Sequence, residues 1–91
     1  MNYRLSQEAE DDLIRIYRFG FYRFGEAQAD RYFEALYLCF DQIAKNPEQY
    51  PTADRIRRDY RFCVLGPNTI YFKVENQGIV EIIRIIGKQN F

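Results

Sequence analysis

Arginines at positions 55, 57, 58 and 61, joined further along by Arg84 and Lys88, are the residues of this chain best suited to chemistry with anions. A guanidinium group holds two oxygens of a phosphate or carboxylate in its planar fork and stays charged at any cellular pH. The chain has no histidine at all. A cationic cluster without the usual proton shuttle points first to binding and only second to catalysis. Asp54 and Asp59 interrupt the cluster, so surface salt bridges compete with a binding role. No catalytic residue, metal ligand set or cofactor motif is expected.

The cluster sits in AKNPEQYPTADRIRRDYRF, residues 44–62, where a helix ends in a proline loop and a strand begins. The N-terminal part supplies the helices. Asn2 to Leu5 is a short candidate strand, and Ser6 is a good N-cap, followed by Glu8, Glu10, Asp11 and Asp12 near the positive helix end. Ala9, Leu13, Ile16, Tyr17, Gly20 and Phe24 repeat at helical spacing, and Gly25 is a plausible stop. Ala29, Tyr32, Phe33, Leu36, Phe40 and Ile43 give a second stripe, which Lys45-Asn46-Pro47 ends. Two adjacent amphipathic helices with so short a link predict an antiparallel hairpin.

Three strand-like runs follow, Tyr60–Leu65, Thr69–Val74 and Ile79–Ile86, separated by Gly66-Pro67-Asn68 and by Glu75-Asn76-Gln77-Gly78. The pattern predicts an α+β fold over a single domain, residues 1–91. A strand, a two-helix antiparallel hairpin and a three-stranded antiparallel meander follow in order, with the helices on one face of the sheet. Alternation places Tyr60, Phe62, Val64, Ile70, Phe72, Val74, Ile79, Ile83 and Ile85 under the helices. The opposite face then carries Arg4, Arg61, Lys73 and Arg84 around Tyr71, with Cys63, Thr69, Ile82 and Ile86. Glu81 falls on the apolar face, a defect for which a bulge near Gly78 is one explanation. Arg84, set among isoleucines in IVEIIRII, calls for a defined partner such as a carboxylate or phosphate.

Composition bounds the rest. With 47% hydrophobic and 18% aromatic residues, the 91-residue chain has enough apolar surface for one core and too little length for two. No apolar run reaches the roughly 18 residues of a membrane span. MNYRLSQEAEDD lacks the basic start and apolar middle of a signal peptide, so the expected compartment is the cytoplasm, with Cys39 and Cys63 as reduced, buried thiols. Net charge is zero, yet residues 1–44 hold five basic and eight acidic groups and residues 45–91 hold eight basic and five acidic. That polarity argues against strong general affinity for nucleic acid while leaving a local basic surface for an acidic or phosphate-bearing partner.

In order and spacing, LSQEAEDDLIRIYRF, FGEAQADRYFEAL, AKNPEQYP, DRIRRDYRF and NTIYFKVENQGIVEIIRIIG resemble the ParE branch of the ParE/RelE toxin superfamily over nearly the whole chain. The resemblance implies the toxin half of a type II toxin–antitoxin pair. In the ParE branch the target is DNA gyrase, whose cleaved-DNA complex is trapped so that replication stops, by binding alone. It also implies a cognate ParD-like antitoxin, a partly disordered segment that crosses the helical hairpin and reaches the basic sheet region, in a toxin–antitoxin hetero-oligomer. On this reading Arg57, Arg58, Arg61, Arg84 and Lys88 meet gyrase, and Tyr22, Arg58, Tyr71, Lys73 and Arg84 meet the antitoxin.

The related RelE branch cuts messenger RNA on the ribosome, which needs a base for the 2′-OH proton, charge for the transition state and an acid for the leaving oxygen. Arg61 and Arg84 match the positions of two arginines in such nucleases, but Arg55, Arg57 and Arg58 stand where those enzymes carry lysines. Gly87 stands where many ParE-like chains have a histidine. Only Tyr71 or Lys73 would remain as an unusual base. A RelE-like endoribonuclease and a degenerate toxin that only binds antitoxin are the alternatives.

Overall fold

A computed structural model describes residues 2–87 of the chain. Strand β1 (Tyr3–Leu5) leads into α1 (Gln7–Phe24) and α2 (Glu26–Lys45), and the meander follows as β2 (Arg61–Leu65), β3 (Asn68–Val74) and β4 (Val80–Gly87). Ser6 caps α1 by accepting the Ala9 N–H at 3.0 Å. Gly25, at φ 95°, closes one helix and opens the next. Its N–H donates to the Phe21 carbonyl, and its own carbonyl accepts from the Ala29 N–H. One residue thus reverses the chain, as the hairpin reading requires.

The sheet order is β1-β4-β3-β2. β2, β3 and β4 pair antiparallel, as the meander reading expects, while β1 joins the edge of β4 in parallel, so the sheet is mixed. Both helices pack on one face. Leu36, Phe40, Ile43, Ile70, Phe72, Val80, Ile82 and Ile85 are fully buried between the layers, each contributing roughly 1.5–3 kcal/mol by removal from water.

Two strands face the other way from the sequence-based assignment. Leu65 pairs with Asn68 across a two-residue turn at Gly66-Pro67, with Gly66 at φ 55°. A three-residue loop would set the register one position differently, and one position flips a strand. Arg61, Cys63 and Leu65 therefore lie over the core side, opposite Phe72, Ile70 and Asn68, while Phe62 and Val64 share the outer face with Tyr71 and Thr69.

On β4, Phe72 pairs with Ile82 but Tyr71 pairs with Arg84, so Ile83 is an extra residue between them. This bulge lies at Ile83, not near Gly78. It reverses the alternation, turning Val80 and Ile82 inward before it and Ile85 inward after it. Ile82 is core, Ile83 is not, and Glu81 points outward without defect. Val74 is exposed beyond the end of the core, and Phe24 lies exposed at the tip of the hairpin.

Candidate functional site

β1 covers β4 only from Val80 to Ile82. Past that point the strand edge would be open, and the first turns of α1 close it. The Ser6 N–H donates to the Ile82 carbonyl at 3.0 Å, and the Ser6 hydroxyl donates to the Ile83 carbonyl at 2.7 Å. One turn later Asp12, 2% exposed, accepts the Ile85 N–H at 2.8 Å. The same carboxylate accepts Arg84 Nε at 2.8 Å and Nη2 at 3.1 Å, and Arg15 Nη1 at 2.9 Å. Four donors converge on one buried carboxylate.

Burial alone would raise the Asp12 pKa, but the Arg84, Ile85 and Arg15 hydrogen bonds outweigh it and hold the group below the usual aspartate value. The hydrogen bonds to Asp12 in turn raise the Arg84 guanidinium. Arg84 thus has the carboxylate partner its apolar setting called for, inside the chain. The sequence reading groups Asp12 with Glu8, Glu10 and Asp11 as acids near the positive helix end. Its position on the stripe of Ala9, Leu13 and Ile16 was the available signal that it faces inward.

The other expected site residues divide among several places. Arg61, at the head of β2, donates through Nη1 to the Tyr50 carbonyl at 2.6 Å and so pins the loop to the strand. Arg57 and Arg58 are exposed in the intervening loop, together with Arg55 and Ile56, which is 64% exposed. That loop is not slack. Ala53 is buried and accepts the N–H groups of Ile56 and Arg57 at 2.9 and 3.0 Å, while its own N–H donates to the Tyr60 carbonyl at 2.6 Å. Among the described residues, Arg55, Arg57 and Arg58 form no ion pair with Asp54, Asp59 or any other acid. Lys88 lies outside the described residues.

Tyr71 stands opposite Arg84 in the sheet and beside Phe62, with ring centroids 6.5 Å apart. Lys73 Nζ is 3.4 Å from Glu75, and Arg4 bridges Glu75 and Glu81 at 3.6 Å each. The outer sheet face is therefore charge-balanced at this end. Four cations around Tyr71 is not what forms, because Arg61 lies over the other face and Glu81 sits between Arg4 and Lys73.

Tyr22 belongs to a different surface. It is 81% exposed on the outside of α1, in line with Asp11, Ile14, Arg15, Arg18, Phe19 and Arg23 along a shallow depression. Around the flank of the hairpin runs a deeper groove of about 560 Å³, whose walls include Ile16, Phe19, Phe24, Tyr32 and Phe33 and whose floor reaches Pro67 and Gly87. Tyr32 holds the groove against the sheet by donating to the Leu65 carbonyl at 2.8 Å and meeting Asn68 Oδ1 at 2.6 Å. Its burial pushes the phenol up to about 12, so it stays a neutral donor. Phe24, on the buried stripe by its spacing, instead lines this groove, and Ile16 lines it while also packing against the core.

No group of three or more His, Cys, Asp or Glu side chains is placed to hold a metal ion among the described residues. A family profile described as "ParE toxin of type II toxin-antitoxin system, parDE" matches residues 3–90. The chain belongs to the ParE toxin family. It is 31% identical over 87 residues to Toxin ParE1 of Mycobacterium tuberculosis, spanning 96% of this chain and 89% of the relative. It is 33% identical over 84 residues to Toxin ParE1 of Caulobacter vibrioides, spanning 92% and 85%. A solved structure titled "Chromosomal ParDE TA system from P. aeruginosa" superposes with a TM-score of 0.83 at 19% identity, covering 96% of this chain and 95% of that one. The chain therefore shares the ParE fold and is the toxin component of a type II toxin–antitoxin system. No helix among the described residues is long and apolar enough to cross a membrane.

Proposed function

We propose that this ParE toxin acts in the cytoplasm as a gyrase poison, stabilising the cleaved-DNA complex by binding and not by chemistry of its own. The observation that carries this reading is the separation of Arg61 and Arg84. They stand on strands two apart, roughly 10 Å by sheet spacing. One is spent on the Tyr50 carbonyl and the other on Asp12. A phosphoryl transition state needs such charges converging on one point, with a base in reach. Lys73, a candidate base, is engaged in an ion pair with Glu75 at 3.4 Å. The ribonuclease reading loses its two principal cations, and the unpaired Arg57 and Arg58 become the stronger candidates for contact with the target.

The cognate antitoxin on this account is ParD-like. An apolar segment of it fills the groove beside Phe19, Phe24 and Phe33, and acidic groups on it meet Tyr22's neighbours Arg18 and Arg23 and the loop arginine Arg58. Tyr71 and Lys73 remain contacts of the sheet end, whereas Arg84 is committed to Asp12.

Purified gyrase, plasmid DNA and ATP provide the test. Linear DNA accumulating after detergent and protease, and suppressed by prior addition of the antitoxin, is the expected result. Undisturbed supercoiling together with new cleavage in coding RNA of expressing cells would replace this reading with the ribonuclease.

A further inference from the structure

Cys39 on α2 and Cys63 on β2 face each other across the layer between helix and sheet, with their sulfurs 3.5 Å apart and both reduced. The two-residue turn at Gly66-Pro67 brings them together, because its register sends Cys63 inward opposite Ile70. They lie on elements joined otherwise by packing and by the Tyr32 hydroxyl on the Leu65 carbonyl, and the chain between them contains the whole cationic loop.

We propose that this pair is a redox-responsive staple, closed to an intramolecular disulfide by small-molecule disulfides of the oxidised-glutathione class. Cys63, half-buried on the outermost strand, is the sulfur an oxidant meets first, whereas Cys39 is 8% exposed. In the first step the Cys63 thiolate attacks one sulfur of the small disulfide and expels one thiolate, which takes up a proton. In the second, Cys39 gives up its proton to solvent and its sulfur attacks that of Cys63, expelling the second small thiolate. The two protein thiols are oxidised, and the small disulfide is reduced to two thiols.

Burial pushes the Cys39 thiol up to about 12, so the second step is the slow one, and the staple closes only under sustained oxidation. Closure bridges α2 to β2 and shortens the unfolded chain's accessible loop, which raises stability. It holds both ends of the segment carrying Arg55, Arg57 and Arg58 and adds a covalent tie to β2, which pairs with a strand on one side only.

The experiment incubates the folded wild-type protein with oxidised glutathione and reads intact mass, a peptide map and thermal unfolding. Loss of the mass of two hydrogens, a Cys39–Cys63 cross-linked peptide, and a Tm raised by roughly 10 °C and restored by reductant are expected. Cys39→Ser is expected to stall as the glutathione adduct at Cys63. A persistent adduct in the wild type, a cross-linked dimer, unreacted thiols or an unchanged Tm would each overturn the proposal. The wild-type readouts decide even if the variant does not fold.

Discussion

Arg84 and the Arg55–Arg58 loop carry the same functional group in opposite circumstances. Arg84 binds a 2%-exposed carboxylate through two nitrogens, while the exposed loop arginines form no ion pair among the described residues. A guanidinium committed to Asp12 is part of the frame that holds α1 on the edge of β4. A guanidinium without a partner is available to one. On the proposed function the first region serves stability and the second recognition, although residue type alone would treat them alike.

Breaking the Asp12 network is the harshest test of that division. Asp12→Ala leaves the buried Ile85 N–H without its acceptor and the half-exposed Arg84 guanidinium without its partner, and is expected to cost about 2–4 kcal/mol, a large share of the stability of so small a domain. Urea denaturation measures it; a loss below about 1 kcal/mol, the range of a surface pair, would mean the network is incidental. The bulge offers a sharper contrast within one strand. Ile82→Ala removes a fully buried side chain and should cost about 2–5 kcal/mol, whereas Ile83→Ala, one residue on but outside the core, should cost no more than about 1 kcal/mol. Equal losses would place the register elsewhere.

The chain's helices and the meander were legible because 3.6-residue stripes, Ser6, Gly25 and Pro47 each carry a local signal. Which face each strand turns was not. A two-residue turn where Gly66-Pro67-Asn68 permitted three, and a bulge with no glycine to mark it, reversed β2 and half of β4. The parallel pairing of β1 rests on contacts some 77 residues apart in sequence, from Tyr3 to Val80, which no local pattern encodes. Of the candidate site, the need of Arg84 for an anion was legible, but its supplier was not, because Asp12 stands beside three other acids that equally suit a helix start.

Acid provides a reversible version of the first test. The Asp12 pKa is depressed in the folded state, so its contribution is complete above the ordinary aspartate value of 3.8 and is lost as pH falls through the lower folded value. Stability followed from neutral pH downward should decline in that window, and Asp12→Asn should flatten the decline. A variant as acid-sensitive as the wild type would assign the effect to other carboxylates. The smallest expected effect belongs to the loop: reversing Arg57 and Arg58 to glutamate should change unfolding free energy by no more than about 0.5 kcal/mol per site. A larger loss would show that these side chains also hold the fold.

The gyrase cleavage assay with the Arg57→Glu/Arg58→Glu double variant beside the wild type tests the division most directly, with circular dichroism and thermal unfolding run on the same samples. Wild-type protein that produces linear DNA and an equally folded variant that does not would place recognition in the unpartnered loop. A folded variant that traps as much cleaved DNA as the wild type would contradict it.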